Sequence, residues 1–442
     1  MHRIQIVAVL AGVVGMSMSA CSTAQPSHSI PQSLVTPDRV ETTRGTFEFK
    51  DGVPTEATAQ ALYDEGAVIM EDVLLTLHGE AHRKRRMLEF GVFRRNFFKH
   101  YETEIFVPTL EQTIAGDLEA GGAELVDLSY RVTMNLTADF AGIDRPEQTR
   151  EETLRLLHMV EVFSQGATVI HSTRDKDEVR DEVRAALAEF EPAFLAPSVA
   201  RRRKLIEEVE AGRAEEDSLP RDVLTVILRN GDPEEFTPDM LRREVAFYLQ
   251  AGAHSTANST VHSFHDITTW CADHPDDAQR IKDDPIFLQR CVHESLRLHP
   301  ASPVSMRKAI CPHALANGHQ MEEGDLVSLD LFTANRDKAT FGDDADSYNP
   351  HRKIPTGQTP FGFTFGIGTH SCLGRDLDGG VVPRADANPE THQYGIVTRL
   401  VRRLLSEGAR PDPDKPARQA EYTARPNWGT YPVIFDKSEA WT

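Results

Sequence analysis

Apolar residues recur at helical spacing along most of the chain after Gly66, separated by short polar turns. The pattern predicts helices over Glu80–Phe98, Leu125–Ile143, Arg150–Val169 and Asp175–Glu191, the first strongly basic and the last charged on its exposed face. Thr237-Pro238-Asp239 is a helix start, with Thr as N-cap, Pro in the first turn and an acid beside it. The helix it opens is predicted to run through Ala251-Gly252 as far as Trp270, which is long for a globular protein. Pro285–Leu298 is a further helix, stopped by His299-Pro300. Strand-like sequence is confined to Leu326–Leu331 and Tyr431–Phe435. No internal repeat occurs, and no linker after residue 66 divides the chain, so one large, mainly α domain with a small β part is expected.

Composition changes this picture little. The 442 residues are 40% hydrophobic and 26% charged, ordinary for a globular protein with a sizeable core. A formal net charge of −20 and only 7% aromatic residues argue against nucleic acid as a partner. Five cysteines, at positions 21, 271, 291, 311 and 372, form no C-x-x-C pair and suit neither a disulfide framework nor a four-thiolate zinc site. Cys271, Cys291 and Cys311 are expected to be small buried hydrophobes.

The N-terminus has its own character. Arg3 precedes an apolar run from Ile4 to Met18, and Met18-Ser19-Ala20-Cys21 approximates a lipoprotein cleavage box. The run is short against the ~20 residues of a membrane span. Ser22 to Ser33 reads as a polar tether. Val35-Thr36-Pro37-Asp38-Arg39-Val40-Glu41-Thr42, Gly45-Thr46-Phe47-Glu48-Phe49, Asp51-Gly52-Val53-Pro54-Thr55 and Leu62-Tyr63-Asp64 resemble the opening of a family of exported bacterial proteins of unknown function. The expected organisation is a signal-like segment over 1–21, a tether and foreign segment over 22–65, and one domain over 66–442. No long transmembrane stretch follows.

Phe365-Gly366-Ile367-Gly368-Thr369-His370-Ser371-Cys372-Leu373-Gly374 is the most informative stretch. Glycines let the backbone turn tightly and aim N–H groups at a sulfur, a phenylalanine can shield it, and a helix starting at Leu373 would favour its negative charge. The pattern Phe-Gly-x-Gly-x-His-x-Cys-x-Gly resembles the haem-binding loop of the cytochrome P450 family. The resemblance implies that Cys372 is the thiolate ligand of haem b iron, with Phe365, Gly366, His370 and Gly374 around the cofactor.

Further matches follow in the family's order. Glu294-Ser295-Leu296-Arg297 resembles its Glu-x-x-Arg, whose third partner would be Arg352 in Tyr348-Asn349-Pro350-His351-Arg352. His82 and Arg86, one helical turn apart, and Arg307 resemble its haem-propionate contacts. Arg83-Lys84-Arg85-Arg86 also reads as a solvated basic face suited to an acidic redox partner. Ala251-Gly252-Ala253-His254-Ser255-Thr256 resembles the family's oxygen-site helix, where a glycine opens a notch for oxygen and an acid and an alcohol relay protons. Here His254 replaces the acid and Ser255 the threonine, so His254, Ser255 and Thr256 are the candidate relay.

Two departures stand out. Asp378-Gly379-Gly380-Val381-Val382-Pro383 breaks the helix usual after the cysteine, and residues 384–395 look inserted before a helix resumes at Ile396–Leu405. The family's first helix and much of its initial sheet are missing or replaced. The resemblance implies a cytochrome P450 fold and a monomeric monooxygenase. It would insert one oxygen atom from O2 into a small organic substrate, with electrons from a separate ferredoxin or flavodoxin and its reductase. Such turnover belongs in the cytoplasm, whereas the signal-like segment argues for export. The altered relay leaves two rivals: a haem-thiolate enzyme using peroxide or working without O2, and a haem-binding chimera without turnover.

Overall fold

The computed structural model describes residues 39–42, 45–50, 53–54, 67–167, 169, 174–309, 311–315, 318–421 and 425–441. The signal-like segment and the tether lie outside the described residues. The chain falls into two compact units, one of residues 66–296, 348–351 and 367–442, the other of residues 1–65, 297–347 and 352–366.

The larger unit is helical. Its principal helices are α1 (Gly79–Glu89), α2 (Phe106–Ala120), α3 (Leu125–Ala141), α4 (Arg150–Ala167), α5 (Lys176–Phe190), α6 (Ala196–Glu210), α7 (Val223–Asn230), α8 (Pro238–Asp273), α9 (Pro275–Asp283), α10 (Pro285–Leu298, whose last turn enters the other unit) and α11 (Ile396–Ser406). The long helix α8, 36 residues, is the axis of the unit. Its start is as predicted: the Thr237 hydroxyl accepts the Met240 N–H at 3.2 Å with Pro238 in the first turn, a cap worth about 1 kcal/mol. Against it pack α3, α4 and α11. Leu128, Val132 and Met134 of α3 and Val245, Leu249, Ala253 and Ala257 of α8 are all buried in the core. Burying each such leucine or valine stabilises the fold by about 1.5–3 kcal/mol. Gly252 permits the closest approach, since a Cβ there would lie 2.7 Å from Thr137 Cγ2 of α3. In α11 the pattern Ile396, Val397, Leu400, Val401, Leu404 turns one stripe inward, while Arg399 and Arg403 on the other side pair with Glu102 and Glu111. Strands Gly122–Glu124, Pro432–Phe435 and Ala409–Pro411 form an antiparallel sheet in that order, pairing Val433 with both Ala123 and Pro411.

The basic stretch predicted as one helix is two, α1 and Arg95–His100, because the chain turns at Phe90–Arg94, where Gly91 and Val92 donate back to Leu88 and Glu89. Conversely, α5 and α6 are joined by a π turn over Glu191–Leu195 containing Pro192. Cys291 is buried and Cys271 half-buried as expected of structural thiols, but Cys311 is exposed, contrary to expectation. No described helix is long and apolar enough to cross a membrane.

The segment after the cysteine is broken and clasped. Gln289 Nε2 of α10 donates towards the carbonyls of Gly379, Val381 and Tyr394 at 3.1–3.2 Å, His392 Nε2 meets Gln289 Oε1 at 2.9 Å, and His293 Nε2 reaches the Gly379 carbonyl at 2.7 Å. At Gly380, with φ +76°, a Cβ would sit 2.3 Å from the Tyr394 carbonyl carbon, so only glycine fits. The ends of the inserted stretch are thereby pinned together, while Arg384–Asp386 and Asn388–Thr391 stay exposed.

In the smaller unit Val304–Lys308 pairs antiparallel with Leu326–Asp330, placing Arg307 opposite Val327. Strands Arg39–Thr42, Gly45–Lys50 and Val53–Pro54 form a second antiparallel sheet, and Val53–Pro54 lies beside Leu326–Asp330. The stretch read as foreign thus supplies strands to this unit.

Candidate functional site

The cysteine turn is built locally. Gly368–His370 make one 3-10 turn, Ser371 N–H returns to the Gly368 carbonyl at 3.1 Å, and Gly368 takes φ +76°. The chain then makes a single α-turn, Arg375–Asp378, before Gly379. The expected helix behind the cysteine is therefore too short to supply a macrodipole. Its place is taken by a direct contact, the Gly374 backbone N–H hydrogen-bonding the Cys372 sulfur. Cys372 is an exposed residue, and protein groups crowd around its sulfur. That crowding, with the Asp378 charge, pushes its thiol up to about 11, against the pull of the Gly374 N–H, Arg86 and Arg375. At neutral pH the group is a thiol, and a bound metal cation would drive off its proton.

Helix α1 presents His82, Arg85 and Glu89 on one buried face. From the edge of that face Arg86 Nη2 donates to the Ser371 carbonyl at 2.7 Å, bracing the cysteine turn. His82 is 4% exposed and packs its ring on His370 with centroids 4.0 Å apart. Its Nε2 is buried and has no hydrogen-bond partner among the described residues. Burial, and then the charge of Arg86, hold its pKa below the usual range, so the ring is neutral. The basic face is smaller than expected. Arg83 and Lys84 are exposed, but Arg85 is buried because two glutamates, Glu235 and Glu244, pair with it.

The three candidate relay residues do not converge. Successive helical side chains diverge by about 100°, and each finds a different partner. His254 Nδ1 lies 2.9 Å from the Tyr130 hydroxyl, to which Asn258 Nδ2 also donates at 2.9 Å. Ser255 donates to the Ala251 carbonyl one turn back, at 2.8 Å. Thr256 donates to Asp378 Oδ1 at 2.6 Å, and burial pushes that carboxyl up to about 6. Gly252 faces Thr137 of α3, so helix packing alone accounts for a glycine there.

Burial and then the Arg425 charge lower the His254 pKa to about 4. A histidine kept neutral in the fold but ionisable at 6.5 when unfolded contributes stability that is lost as pH falls from about 6.5 towards 4. Between pH 7 and pH 5, His254→Gln is expected to remove at most about 2 kcal/mol of that acid-induced loss. Urea unfolding at the two pH values checks it. The buried His293, also lowered to about 4, provides the slope that should remain.

Of the expected structural network, Arg297 and Arg352 belong to the smaller unit and Glu294 to the larger. In the smaller unit Arg297, 0% exposed, donates to the carbonyls of Asn335 and Ala345 at 2.5 and 2.8 Å and lies over the Phe341 ring. Arg352 donates to Asp344 Oδ1 at 2.6 Å and to the Ser347 carbonyl at 2.9 Å. In the larger unit Glu294 Oε1 accepts the Asn349 N–H at 3.1 Å. Arg307 Nη1 donates to Ser305 Oγ at 2.6 Å within its strand. Phe365 packs edge-on against Phe361, and Gly366, at φ +66°, closes a turn onto the Phe363 carbonyl. Sequence reasoning missed Asp378, Tyr130 and Ser371, whose partners are all far away in the chain. Only for Asp378 was there a local signal, an acid six positions after the cysteine.

Residues 200–377 match the Cytochrome P450 family. Cytochrome P450 704C1 of Pinus taeda is 31% identical over 130 residues, covering 27% of this chain and 25% of that protein. Cytochrome P450 monooxygenase pkfB of Emericella nidulans is 24% identical over 196 residues, covering 39% and 38%. The chain thus matches between a quarter and two fifths of the length of these two relatives. Among solved structures, that of CalO2 superposes with a TM-score of 0.63 at 18% identity, covering 84% of this chain and 82% of the other. The mostly helical fold with its small sheets is the cytochrome P450 fold, and the stretch from residue 200 to residue 377 carries that family's sequence.

Proposed function

We propose that this chain is a haem-thiolate monooxygenase. It would hold haem b through Cys372 and insert one oxygen atom of O2 into a small organic substrate, drawing electrons from a separate ferredoxin or flavodoxin and its reductase. The observation that carries the reading is the exposed Cys372, with the Gly374 N–H upon its sulfur. The surrounding residues fit the cofactor. His82 Nε2 is buried with no hydrogen-bond partner among the described residues; in the tautomer that carries its proton there, a propionate oxygen would satisfy it, and Arg86 is the adjacent cation. When bound, haem supplies a redox-active iron whose thiolate ligation favours O–O cleavage.

The chain's own residues have separable roles in this reading. Cys372 surrenders its proton and ligates, and the Gly374 N–H and Arg86 offset the negative charge left on sulfur. His370, its ring tilted against that of His82, keeps that ring oriented. Ser255 offers the hydroxyl of the candidate relay, while Thr256 is engaged with Asp378. Reading Arg307, Phe365 and Gly366 as cofactor contacts rests on the sequence pattern. The test is the absorption spectrum of the reconstituted, reduced and CO-bound protein. A red-shifted thiolate-type Soret band is expected, and its absence would refute the proposal.

One observation favours a second reading. His254 is neutral and turned to Tyr130, leaving no acid at the position where the family places one. Direct use of peroxide would dispense with that acid. Product formation with hydrogen peroxide alone, exceeding that with O2 and a reductase system, would select it.

A further inference from the structure

Helix α1 carries, three positions beyond Arg86, a side chain that the proposed function does not use. Glu89 is 0% exposed; its Oε2 accepts the Tyr248 hydroxyl at 2.6 Å, and its Oε1 has no hydrogen-bond partner among the described residues. Glu244 of α8 is equally buried, accepting the Leu74 N–H at 3.1 Å and pairing with Arg85 at 2.5 Å. Arg85 also pairs at 2.6 Å with Glu235, whose side chain is 40% exposed. Two buried carboxyls therefore share a single cation that a third acid also claims. Two uncompensated negative charges are not sustained in such a place, and the pair retains a proton. Burial, and then the Glu244 charge, raise Glu89 well above the carboxylate range, while burial against the opposing Arg85 brings Glu244 to about 7.

The charged and titratable groups that act on the pair are Arg85 on the helix of Glu89, Tyr248 on α8, and Glu235, while Arg243 of α8 pairs with Glu71 and Asp239. Helix α7, which also packs on α1, brings only Arg229, and that is paired with Glu216. On one side the cluster reaches solvent through Glu235. On the other, a rise of ~4.5 Å along α1 leads to Arg86, which holds the cysteine turn.

Resting on the haem-thiolate reading, we propose that Glu89 and Glu244 form a buried proton-binding site that gains a proton as the cofactor held by Cys372, His82 and Arg86 gains an electron. The electron comes from a one-electron donor such as a reduced ferredoxin and goes to the iron. The proton comes from water by way of the Glu235 side and forms one O–H bond on a carboxylate of the pair. The added negative charge raises the pair's proton affinity, and the bound proton in turn stabilises the reduced state, as reciprocal linkage requires.

Spectroelectrochemical titration of the haem-loaded protein from pH 6 to 8 tests this. Full coupling moves the midpoint potential about 59 mV for each tenfold change in proton concentration, and at least half that slope is expected. Glu244→Gln, which preserves shape and can still accept the Leu74 N–H, should flatten it, because Glu244 is the carboxyl poised near neutral pH. A flat wild-type profile, or an unchanged slope in Glu244→Gln, would overturn the inference. A second readout needs no cofactor. Infrared spectra of the apo-protein at pH 7 should contain a protonated-carboxyl stretch that Glu89→Gln removes, and its absence from the wild type would also overturn the proposal. Loss of the CO-bound thiolate band, by contrast, would defeat the haem-thiolate reading while leaving the infrared result standing.

Discussion

Arg297→Ala is expected to abolish folded protein. The guanidinium is fully buried, so its removal strands the carbonyls of Asn335 and Ala345 without donors. Each stranded group costs about 1–3 kcal/mol, and the vacated volume and the lost stacking on Phe341 add to that. A total at or above about 3–5 kcal/mol, as for breaking other buried charged contacts, meets an entire stability of about 5–15 kcal/mol. Arg297→Lys restores charge but not the planar fork that reaches two carbonyls at once. It should fold with an intermediate midpoint. Soluble yield, far-UV circular dichroism and urea unfolding give the order. An alanine variant as stable as the wild type would show that the network contributes little.

Cys372→Ala is expected to lose the thiolate-type CO band and all product formation without losing the fold. Cys372 is an exposed residue and alanine is only one atom smaller, so the cost to stability is expected to be small. The cost to the cofactor is the ligand itself. A useful contrast is Arg86→Lys, which retains the charge but loses the guanidinium geometry on the Ser371 carbonyl. Changes of that outer kind typically weaken a metal site about 10–100-fold, so haem affinity should fall while the band keeps its position. Titrating haem into both variants separates a lost ligand from a loosened turn.

What could be read from the sequence was what is decided locally. Thr237 and Pro238 announce α8 because a cap and a first-turn proline act within one turn. Pro285–Leu298 is bounded by its prolines in the same way. The cysteine turn is also local, since glycines and a sulfur within ten residues make their own geometry. The reading failed where a distant partner decides. Val304–Lys308 is a strand because Leu326–Asp330 lies beside it, and its five residues alternate too briefly to show it. The helix predicted over Asp175–Glu191 does not stop there, because a π turn absorbs Pro192 and the chain continues into α6. Arg85 passed for one of four surface cations because its acidic partners lie 150 and 159 positions away. Thr256 and Asp378 are separated by 122. The candidate site was legible as a set of residue types, but the pairing within it was not.

The clasp held by Gln289 has a practical consequence. With both ends of the inserted stretch pinned and its tip in solvent, the tip can be lengthened at little cost, since each doubling of a flexible loop costs only about 0.6 kcal/mol. Residues 384–391 are thus a natural splice point. A fluorophore, an affinity handle or a small electron-carrying domain grafted between Asp386 and Asn388 would hang from a short arm whose root lies one helical turn beyond the cysteine, while Gly380 and Gly395 would have to be left untouched.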